Sequence, residues 1–332
     1  MITIEASHIS FGGGYVLLVE LLNNLSSRSL SNNVFIAKEE VYNDLKNKQF
    51  KNSNLILTNT LKTLLRYSKK RERVLYFSNL PPFTKNKKSI VYFHNELILN
   101  KKNNDFRLNP KYFIYYHWLK YFIRNVDTVS CQTNNIFDAL RKVGAENISK
   151  LPFFKIYNPV NTNTKNYTFC YICSGSRHKN VELLFKAIKL LIVKHDITLA
   201  VTIENCKINK QLIRHIQEIN KNANKNVIIN YGLVSGEKVL EIYQASRALV
   251  FPSLIESMGL PLIEANMFGI KVLSSDLPYS HEILNSPIVF DPYEAKEIAK
   301  TMELFINGRY DGIIQSLKIE NKIEELIKKI QK

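Results

Sequence analysis

The sequence predicts an α/β protein made of two doubly wound, parallel-sheet domains. Its 332 residues are enough for roughly two domains of ordinary size. Short apolar runs alternate with segments of helical period, as in parallel sheets covered by helices. This rhythm lapses once, in LPFFKIYNPVNTNTKN (151–166), and then restarts. We therefore predict domains over 1–158 and 159–311 and a C-terminal helix over 312–332, which we expect to pack back toward the first domain.

The first domain begins with the strand, glycine loop and helix typical of such folds. ITIEA (2–6) alternates apolar and polar residues, Gly12–Gly14 makes a turn, and YVLLVELLNNL (15–25) has apolar residues at helical spacing. Further apolar runs bounded by polar residues follow. We interpret these runs as strands, over 34–38, 54–58, 73–78, 89–95 and 127–132.

The second domain repeats this pattern. Strands are predicted over 168–174, 197–204, 227–232, 248–253, 271–276 and 288–291, and helices over roughly 179–194, 209–222, 235–246 and 261–268. In open parallel sheets, ligands bind beyond the carboxyl ends of the strands. We expect the two domains to face each other with those ends lining a cleft, and we expect the ligand in that cleft.

The positive charge is concentrated in the first half of the chain. The net charge is +17, and residues 1–165 carry 25 Lys and Arg against 11 Asp and Glu, whereas residues 166–332 carry 21 against 18. This excess favours an anionic partner for the first half, either a membrane surface or a nucleic acid. Plain solubility of a Lys- and Asn-rich surface is the open alternative. No recognised nucleic-acid module is present, so we expect no nucleic acid as partner.

A basic segment of the first half predicts contact with a membrane. LKTLLRYSKKRER (61–73) joins leucines to a dense cationic run, which is typical of an amphipathic helix on anionic lipid. The predicted membrane-binding residues are Lys69, Lys70 and Arg71. The chain start shows no leader pattern, and no stretch approaches the about 20 apolar residues that span a bilayer. We expect a cytoplasmic protein, peripheral on the inner face of the cytoplasmic membrane.

The sequence offers no clear metal ligands. The four cysteines include one C-x-x-C pair, Cys170 and Cys173, which lies in a strand-like run without a second pair of ligands. Buried thiols are therefore expected rather than a zinc site or a disulfide. No D-x-D pair occurs. We expect neither a metal ion nor another cofactor.

The stretch IESMGLPLIEA (255–265) places two glutamates, Glu256 and Glu264, eight positions apart around a Gly-Leu-Pro turn. Pro261 favours the first turn of a helix, so we predict a helix start near Leu260 with Glu256 before it and Glu264 in its first turn. The free amides of a helix start suit an anion such as a phosphate. Taken alone, either acid could equally be a solvated loop residue or a complement to the helix dipole.

The acid pair is part of a longer series of residues that resembles a family signature. YQASRALVFPSLIESMGLPLIEA (243–265) and SSDLPYSHEI (274–283) together resemble the signature of the retaining glycosyltransferases of family 4, the group 1 glycosyltransferases, which have the GT-B fold. The resemblance extends upstream to 176–191 and 231–246 and so covers nearly all of the second half. In the first half it rests only on the Gly12–Gly14 turn, on His94 and on RNVDTVSCQT (124–133).

The resemblance implies a nucleotide-sugar donor and a set of residues around it. Glu264 corresponds to the acid that binds the ribose hydroxyls, and Glu256 to the catalytic acid that contacts the donor sugar. Backbone groups of the turn, and the loop before the next helix, complete the donor site. The implied donor-sugar residues are Glu256, Ser257, Met258, Gly259 and Leu260, and the implied nucleobase residues are Gly232 and Leu233.

Cations are implied at the donor diphosphate. Arg177 and Lys179 correspond to the family's two diphosphate-binding side chains, although the family usually spaces them about five residues apart and this chain does not. Gly13 and Gly14 are implied to let the first-domain backbone approach the diphosphate. His94, at the end of a predicted strand, is implied to face the sugar or the acceptor as a second catalytic residue.

The function implied is sugar transfer with retained anomeric configuration and without a metal ion. The implied acceptor is a lipid-linked saccharide of bacterial surface polysaccharide synthesis, such as a lipopolysaccharide O-antigen. Three alternatives stay open from the sequence. They are a nucleotide-sugar epimerase on the same fold, a non-enzymatic nucleic-acid-binding protein, and a catalytically silent partner subunit that only binds nucleotide.

Overall fold

The computed structural model describes residues 1–59, 63, 73–100, 110–158 and 164–332. The chain divides into two compact units: the first unit comprises Met1–Lys155 with Glu320–Lys332, and the second unit comprises Ile156–Ile319. Each unit is built on its own parallel sheet covered by helices. The two doubly wound α/β domains predicted from the sequence are therefore confirmed.

The first unit contains a seven-stranded sheet in the order β3-β2-β1-β4-β5-β6-β7, and its neighbouring strands all run parallel. Its strands are β1 (Ile2–Glu5), β2 (Asn32–Ile36), β3 (Ser53–Leu57), β4 (Val74–Tyr76), β5 (Asn86–Phe93), β6 (Val126–Cys131) and β7 (Ile148–Lys150). Its helices are α1 (Gly13–Ser27), α2 (Glu39–Asn47), α3 (Pro110–Phe122), α4 (Asn134–Lys142) and the C-terminal helix (Ile323–Gln331).

Helix α1 shows why these segments fold as they do. Its buried side chains are all leucines at helical spacing, Leu17, Leu18, Leu21, Leu22 and Leu25. Strand β1 is buried along its whole length, as expected for a central strand with helices on both faces. The apolar stripe of the helix therefore faces the interior of the first unit.

The second unit contains a six-stranded parallel sheet in the order β10-β9-β8-β11-β12-β14, which repeats the strand order of the first sheet without its last strand. Its strands are β8 (Tyr167–Tyr171), β9 (Leu199–Val201), β10 (Ile228–Asn230), β11 (Ser246–Phe251), β12 (Lys271–Ser275) and β14 (Ile288–Phe290), with the antiparallel pair β13 (Leu284–Asn285) and β15 (Ser316–Leu317). Its helices are α5 (Val181–Leu191), α6 (Lys210–Ala223), α7 (Gly236–Gln244), α8 (Leu260–Met267), α9 (Pro278–Ile283) and α10 (Ala295–Ile306).

The C-terminal helix is shorter than the sequence predicts. The prediction extends it over 312–332, whereas it begins at Ile323 and the preceding residues contain strand β15. The amide of Lys318 donates to the carbonyl of Ile283, which extends the pairing of β15 with β13. Sheet pairing with the second unit's own chain therefore takes these residues out of the helix.

The stretch predicted to link the domains begins inside the first unit. Phe153 and Phe154 are buried. The amide of Lys322 donates to the carbonyl of Pro152 at 2.7 Å, and the Asn321 side chain donates to the carbonyl of Phe154 at 2.6 Å. The apolar start of this stretch fills the core next to the C-terminal helix. These residues are therefore buried, although their sequence shows no helical or strand period.

Two sequence predictions concern the membrane and the cysteines. Within the described ranges, no helix is long and apolar enough to cross a bilayer. The predicted amphipathic segment, with Lys69, Lys70 and Arg71, lies outside the described residues except for Thr63 and Arg73. All four cysteines are free, and three of them are buried. No group of three metal-ligating side chains occurs among the residues that the structure describes.

Candidate functional site

Two loops of the second unit meet at the carboxyl ends of strands β8 and β11. The first loop ends in a single 3₁₀ turn, Arg177–Lys179, before α5. The sequence predicts that Lys179 begins the helix, but Asn180 adopts a left-handed conformation (φ 55°) and separates the two. Lys179 thus lies in the loop, and its carbonyl accepts a hydrogen bond from the buried Tyr171 hydroxyl at 2.7 Å.

The second loop, after β11, is fastened to the first through one carbonyl. The amide of Leu254 donates to the carbonyl of His178 at 2.8 Å, and the hydroxyl of Ser253 donates to the same oxygen at 3.2 Å. Tyr279 in turn donates its hydroxyl to the carbonyl of Ser253 at 2.8 Å. These bonds fix the residues that follow, including Glu256, relative to the 3₁₀ turn.

Glu256 and Lys179 form an ion pair across the two loops. Lys179 Nζ lies 2.5 Å from Glu256 Oε1, and the side chains are only 16% and 11% exposed. The ammonium group also lies 5.5 Å from the centroid of the Phe251 ring. The proposed sugar-binding acid and the proposed diphosphate-binding cation are therefore each other's counter-ions before any donor is present.

The other members of the basic loop differ from Lys179. Arg177 is exposed and has no ion-pair partner among the described residues. Burial, and to a smaller extent the nearby charge of Lys179, lower the pKa of His178 to about 4. His178 is thus neutral at physiological pH and does not add a second cation to Lys179.

Glu264 is held by a buried tyrosine. Helix α8 begins at Leu260 after the left-handed Gly259 (φ 68°), so Glu264 is the fifth helical residue and lies in the second turn instead of the predicted first. The hydroxyl of Tyr243 donates to Glu264 Oε2 at 2.9 Å. The Tyr243 ring is buried and stacks on Phe268 with centroids 5.8 Å apart. Burial raises the pKa of Tyr243, so its phenol stays protonated and keeps donating.

The turn between the two acids offers backbone groups more than side chains. Met258 is 2% exposed, so its side chain belongs to the core. A Cβ on Gly259 would be strained by the left-handed backbone, whatever the space around it. Gly232 is also left-handed and its amide is bonded to Asn230 Oδ1 at 3.1 Å, whereas the side chain of Leu233 is 78% exposed.

The first unit has its own polar centre, around His94 at the end of β5. His94 Nε2 lies 2.8 Å from the carbonyl oxygen of Phe77, and its amide donates to Asn79 Oδ1 at 2.7 Å. Because a carbonyl only accepts, Nε2 carries the proton and Nδ1 is left as an acceptor. Burial lowers the pKa of His94 to about 4, which keeps the ring neutral.

The start of helix α1 touches this histidine. A Cβ placed on Gly14 would lie 2.8 Å from Cε1 and 3.3 Å from Nδ1 of His94, so only glycine lets the helix start approach the ring. Gly13 begins the helix, and its first turn has neither an acidic residue nor a side-chain cap. The structure therefore brings together His94 and Gly14, as it brings together Glu256 and Lys179.

Sequence reasoning missed three groups near these residues. Tyr243 and Asn79 hold Glu264 and His94, and no local pattern reveals that they do, because each partner is distant in sequence. Glu5, at the end of β1, is fully buried; its Oε1 accepts from the Ser7 amide at 3.0 Å, and its Oε2 has no partner. The sequence could have indicated Glu5, because it is an acid in an otherwise largely apolar strand.

Residues 153–329 match the family model of glycosyl transferases group 1. The O-antigen chain mannosyltransferase RfbU of Salmonella typhimurium is 27% identical over 188 residues, which are 52% of this chain and 48% of that protein. The serotype-specific mannosyltransferase WbdA of Escherichia coli is 26% identical over 130 residues, 38% of this chain and 16% of WbdA. The chain therefore spans half or less of the length of these curated relatives.

Solved structures of similar fold cover nearly the whole chain. HepE of Anabaena, in complex with UDP and glucose, has a TM-score of 0.70 at 12% identity and covers 93% of this chain and 90% of its own. Sucrose-phosphate synthase of Thermosynechococcus elongatus has a TM-score of 0.68 at 14% identity and covers 99% of this chain and 94% of its own. At such identities the likeness establishes the fold alone.

Proposed function

Because this chain belongs to the group 1 glycosyl transferases, we propose that it is a retaining glycosyltransferase of family 4 that moves a sugar from a nucleotide-sugar to a hydroxyl of a saccharide acceptor. The observation that carries this proposal is the arrangement around α8. A partly buried Lys179–Glu256 pair joins two loops at the carboxyl edge of one sheet, and a tyrosine-oriented Glu264 lies on the helix that follows the second loop. That edge is where open α/β sheets bind ligands.

The donor is proposed to bind by exchanging one ion pair for another. Glu264 accepts hydrogen bonds from the ribose hydroxyls, for which a carboxylate with its two oxygens is well suited. The diphosphate takes Lys179 as its counter-ion, with Arg177 free to join it, and Glu256 is thereby released to accept from hydroxyls of the donor sugar. Backbone amides of Ser257–Leu260 add uncharged donors.

The chemical step is proposed to keep the anomeric configuration. The bond between the anomeric carbon and the departing phosphate oxygen breaks, and the acceptor oxygen forms its bond on the same face. The acceptor proton passes to the departing phosphate. Neutral His94 faces the sugar or acceptor with Nδ1 as an acceptor, and Gly13 and Gly14 line the approach to the diphosphate. Proton NMR of the product's anomeric coupling tests retention.

Turnover is proposed to need no metal ion or other cofactor. The support is the supply of cations and amides at the proposed diphosphate site, together with the absence of a D-x-D pair from the sequence. Activity should be unchanged in excess EDTA. Loss of transfer in EDTA that is restored by Mg²⁺ or Mn²⁺ would contradict this part of the proposal.

The nucleotide is proposed to stack near Gly232 and Leu233, and a donor panel identifies it. UDP-, GDP-, ADP- and dTDP-sugars should be compared by thermal shift, with GDP-mannose included because the relatives named above are mannosyltransferases. A ligand at 100 times its dissociation constant adds about 2.7 kcal/mol of stability. Glu264→Ala should abolish the shift and the transfer, and Glu218→Ala, an exposed acid on α6, should change neither. A donor shift that survives Glu264→Ala would refute the site.

The acceptor is proposed to be a lipid-linked saccharide of bacterial surface polysaccharide synthesis, reached from the cytoplasmic face of the membrane. The support is the charge of the first half, its basic segment and the O-antigen relative. Flotation with anionic liposomes at low salt tests membrane contact. Reversing the charges of Lys69, Lys70 and Arg71 should release the protein, whereas reversing Lys186, Lys189 and Lys207 in the second unit should not. Equal behaviour of the two variants would sink the membrane proposal.

A further inference from the structure

Four side chains of the first unit form a basic cluster that the proposed function leaves unused: His8, Lys38, Lys111 and Tyr115. His8 follows β1, Lys38 follows β2, and the other two lie one turn apart at the start of α3. Tyr115 Oη lies 2.9 Å from His8 Nδ1, and their rings meet edge to face with centroids 5.1 Å apart. Lys111 Nζ lies 5.6 Å from the centroid of the Tyr115 ring. Segments distant in sequence therefore converge here.

The charges of this cluster repel one another. Burial, and to a smaller extent the charges of Lys111 and Lys38, lower the pKa of His8 to about 4. Burial also lowers the pKa of Lys111, with Lys38 as the second cause. Among the described residues, no carboxylate is a cause of either shift and neither lysine has an ion-pair partner, although Glu39 and Glu40 follow Lys38 at the start of α2. Two ammonium groups thus lie near a histidine without a paired carboxylate in the described part of the chain, which favours an anion between them.

The cluster lies at the ligand-binding edge of the first sheet. The amide of His8 donates to the Ser78 hydroxyl at 3.0 Å, and the next residue, Asn79, is the one that holds His94. His94 in turn touches Gly14, where α1 begins without an acid in its first turn. Both lysines are exposed and can reach a ligand. The uncapped helix start adds to the positive potential of the cluster.

We propose that His8, Lys38, Lys111 and Tyr115 bind a phosphoryl group carried by the acceptor. This inference rests on the proposed function and deepens it by naming a phosphorylated acceptor as the substrate class. A tetrahedral dianion balances the two ammonium groups and accepts hydrogen bonds from them. It also favours the protonated form of His8, which then becomes a further donor. His8 is neutral without an anion, and a bound anion would shift it toward the protonated form.

Sulfate is the probe for this site, because its charge stays constant while the histidine titrates. With ring-labelled histidine, and with the His8 signal assigned by its loss in His8→Gln, NMR should show sulfate raising the pKa of His8 from about 4 by about one unit. The ring of His117, farther along α3, should not respond. A His8 signal that ignores sulfate would overturn the proposal.

Single lysine variants test whether the cluster, and not the general charge, binds the anion. Lys38→Gln and Lys111→Gln should each weaken sulfate binding at His8 about tenfold, the value of one hydrogen bond to a charged group. Their matched controls are Lys46→Gln, at the other end of α2, and Lys120→Gln, at the other end of α3. All four lysines are exposed, so the fold should persist. Equal weakening of sulfate binding in the control variants would show that the attraction is nonspecific and would overturn the proposal.

Two further arms identify the source of the phosphoryl group and separate this test from the proposed function. Displacement of sulfate by a soluble hexose phosphate would identify a phosphorylated saccharide. Co-sedimentation with phosphatidylglycerol vesicles that the Lys38→Gln/Lys111→Gln variant loses would identify a lipid headgroup. Lys179→Gln should leave the His8 response intact, because that response needs no donor. A chain without transferase activity could therefore still pass this test, and an active one could fail it.

Discussion

The two units share a strand order but hold their polar groups in opposite ways. In the second unit, the candidate residues are paired with each other or with a neighbour: Lys179 with Glu256, and Tyr243 with Glu264. In the first unit, His8 and His94 are kept neutral by burial, and Lys38 and Lys111 have no ion-pair partner among the described residues. The Lys179–Glu256 pair of the second unit is thus compensated, whereas Lys38 and Lys111 of the first unit are not paired with an acid.

This difference indicates that the units respond differently to ligands and to pH. A ligand of the second unit must replace the Lys179–Glu256 ion pair. Its binding free energy therefore depends on how well its own groups replace the partner that each side chain loses. A ligand of the first unit relieves repulsion and needs no exchange. Neutral histidines also make the first unit more sensitive to acid. The predictions below test these contrasts, beginning with the largest effect.

Removing the second unit's cation should have the largest effect. Lys179→Met leaves Glu256 partly buried without a partner and removes the proposed counter-ion of the diphosphate, and breaking such a pair costs about 3–5 kcal/mol. We expect kcat/KM to fall roughly 1,000-fold in a transfer assay. Arg177→Met, in the same loop but exposed and unpaired, should lower it by about tenfold or less. Similar losses in both variants would mean that the ion pair does not organise the site.

Acid should destabilise the first unit through His94. Its pKa is about 4 in the folded protein against an ordinary value of 6.5, so the unfolded state binds a proton that the folded state does not. Stability is therefore full above pH 6.5 and is lost as the pH falls toward 4. The loss at pH 5 should be about 2 kcal/mol. Urea unfolding at pH 7 and pH 5 measures it. His94→Gln should remove the share of His94, about 2 kcal/mol, and leave the similar share of His8, whose pKa is also about 4.

Tyr243 should position Glu264 without taking part in the chemistry. Tyr243→Phe removes one hydrogen bond to a carboxylate, worth about 1.5 kcal/mol, so nucleotide affinity should fall about tenfold while kcat changes little. Tyr92→Phe is the matched control, because its buried hydroxyl donates to the carbonyl of Leu151 at 2.9 Å in the first unit. The control should lose stability but keep its nucleotide affinity. A loss confined to stability in both variants would leave Tyr243 with a structural role only.

Glu5 should give the smallest effect, with a pH dependence opposite to that of His94. Burial raises its pKa, so the folded state keeps its proton to a higher pH than the unfolded state does. Stability therefore falls as the pH rises from the ordinary value toward the raised one. Glu5→Gln, which cannot ionise, should unfold at a higher temperature than the wild type at pH 8 and at nearly the same temperature at pH 5. A variant that is less stable at both pH values would contradict this account.

Much of the second unit's candidate site could be predicted from local residues. The series from Tyr243 to Ala265 is contiguous, and the Gly259–Leu260–Pro261 turn indicates a helix start, so the place of both acids follows from the sequence. The prediction placed Glu264 in the first turn of the helix, whereas it lies in the second turn. Lys179 was wrongly placed in a helix, because the left-handed Asn180 is favoured by contacts that the local pattern does not contain.

The first unit's site could be predicted far less well. His94 stood out only as a polar residue after an apolar run, and its tautomer depends on the carbonyl of Phe77, which lies just after strand β4. His8 had no signal of its own. These features depend on neighbours far along the chain.

By itself, the sequence determined the fold class, the alternation of strands and helices, and the spacing of Glu256 and Glu264, because each depends on the period of side chains along one segment. Only the tertiary structure decided which groups became partners. Lys179 meets Glu256 across 77 positions, and His8 meets Tyr115 across 107. Strand order brings these segments to the same sheet edge, and burial there sets the protonation of the histidines, a property that no short stretch of sequence contains.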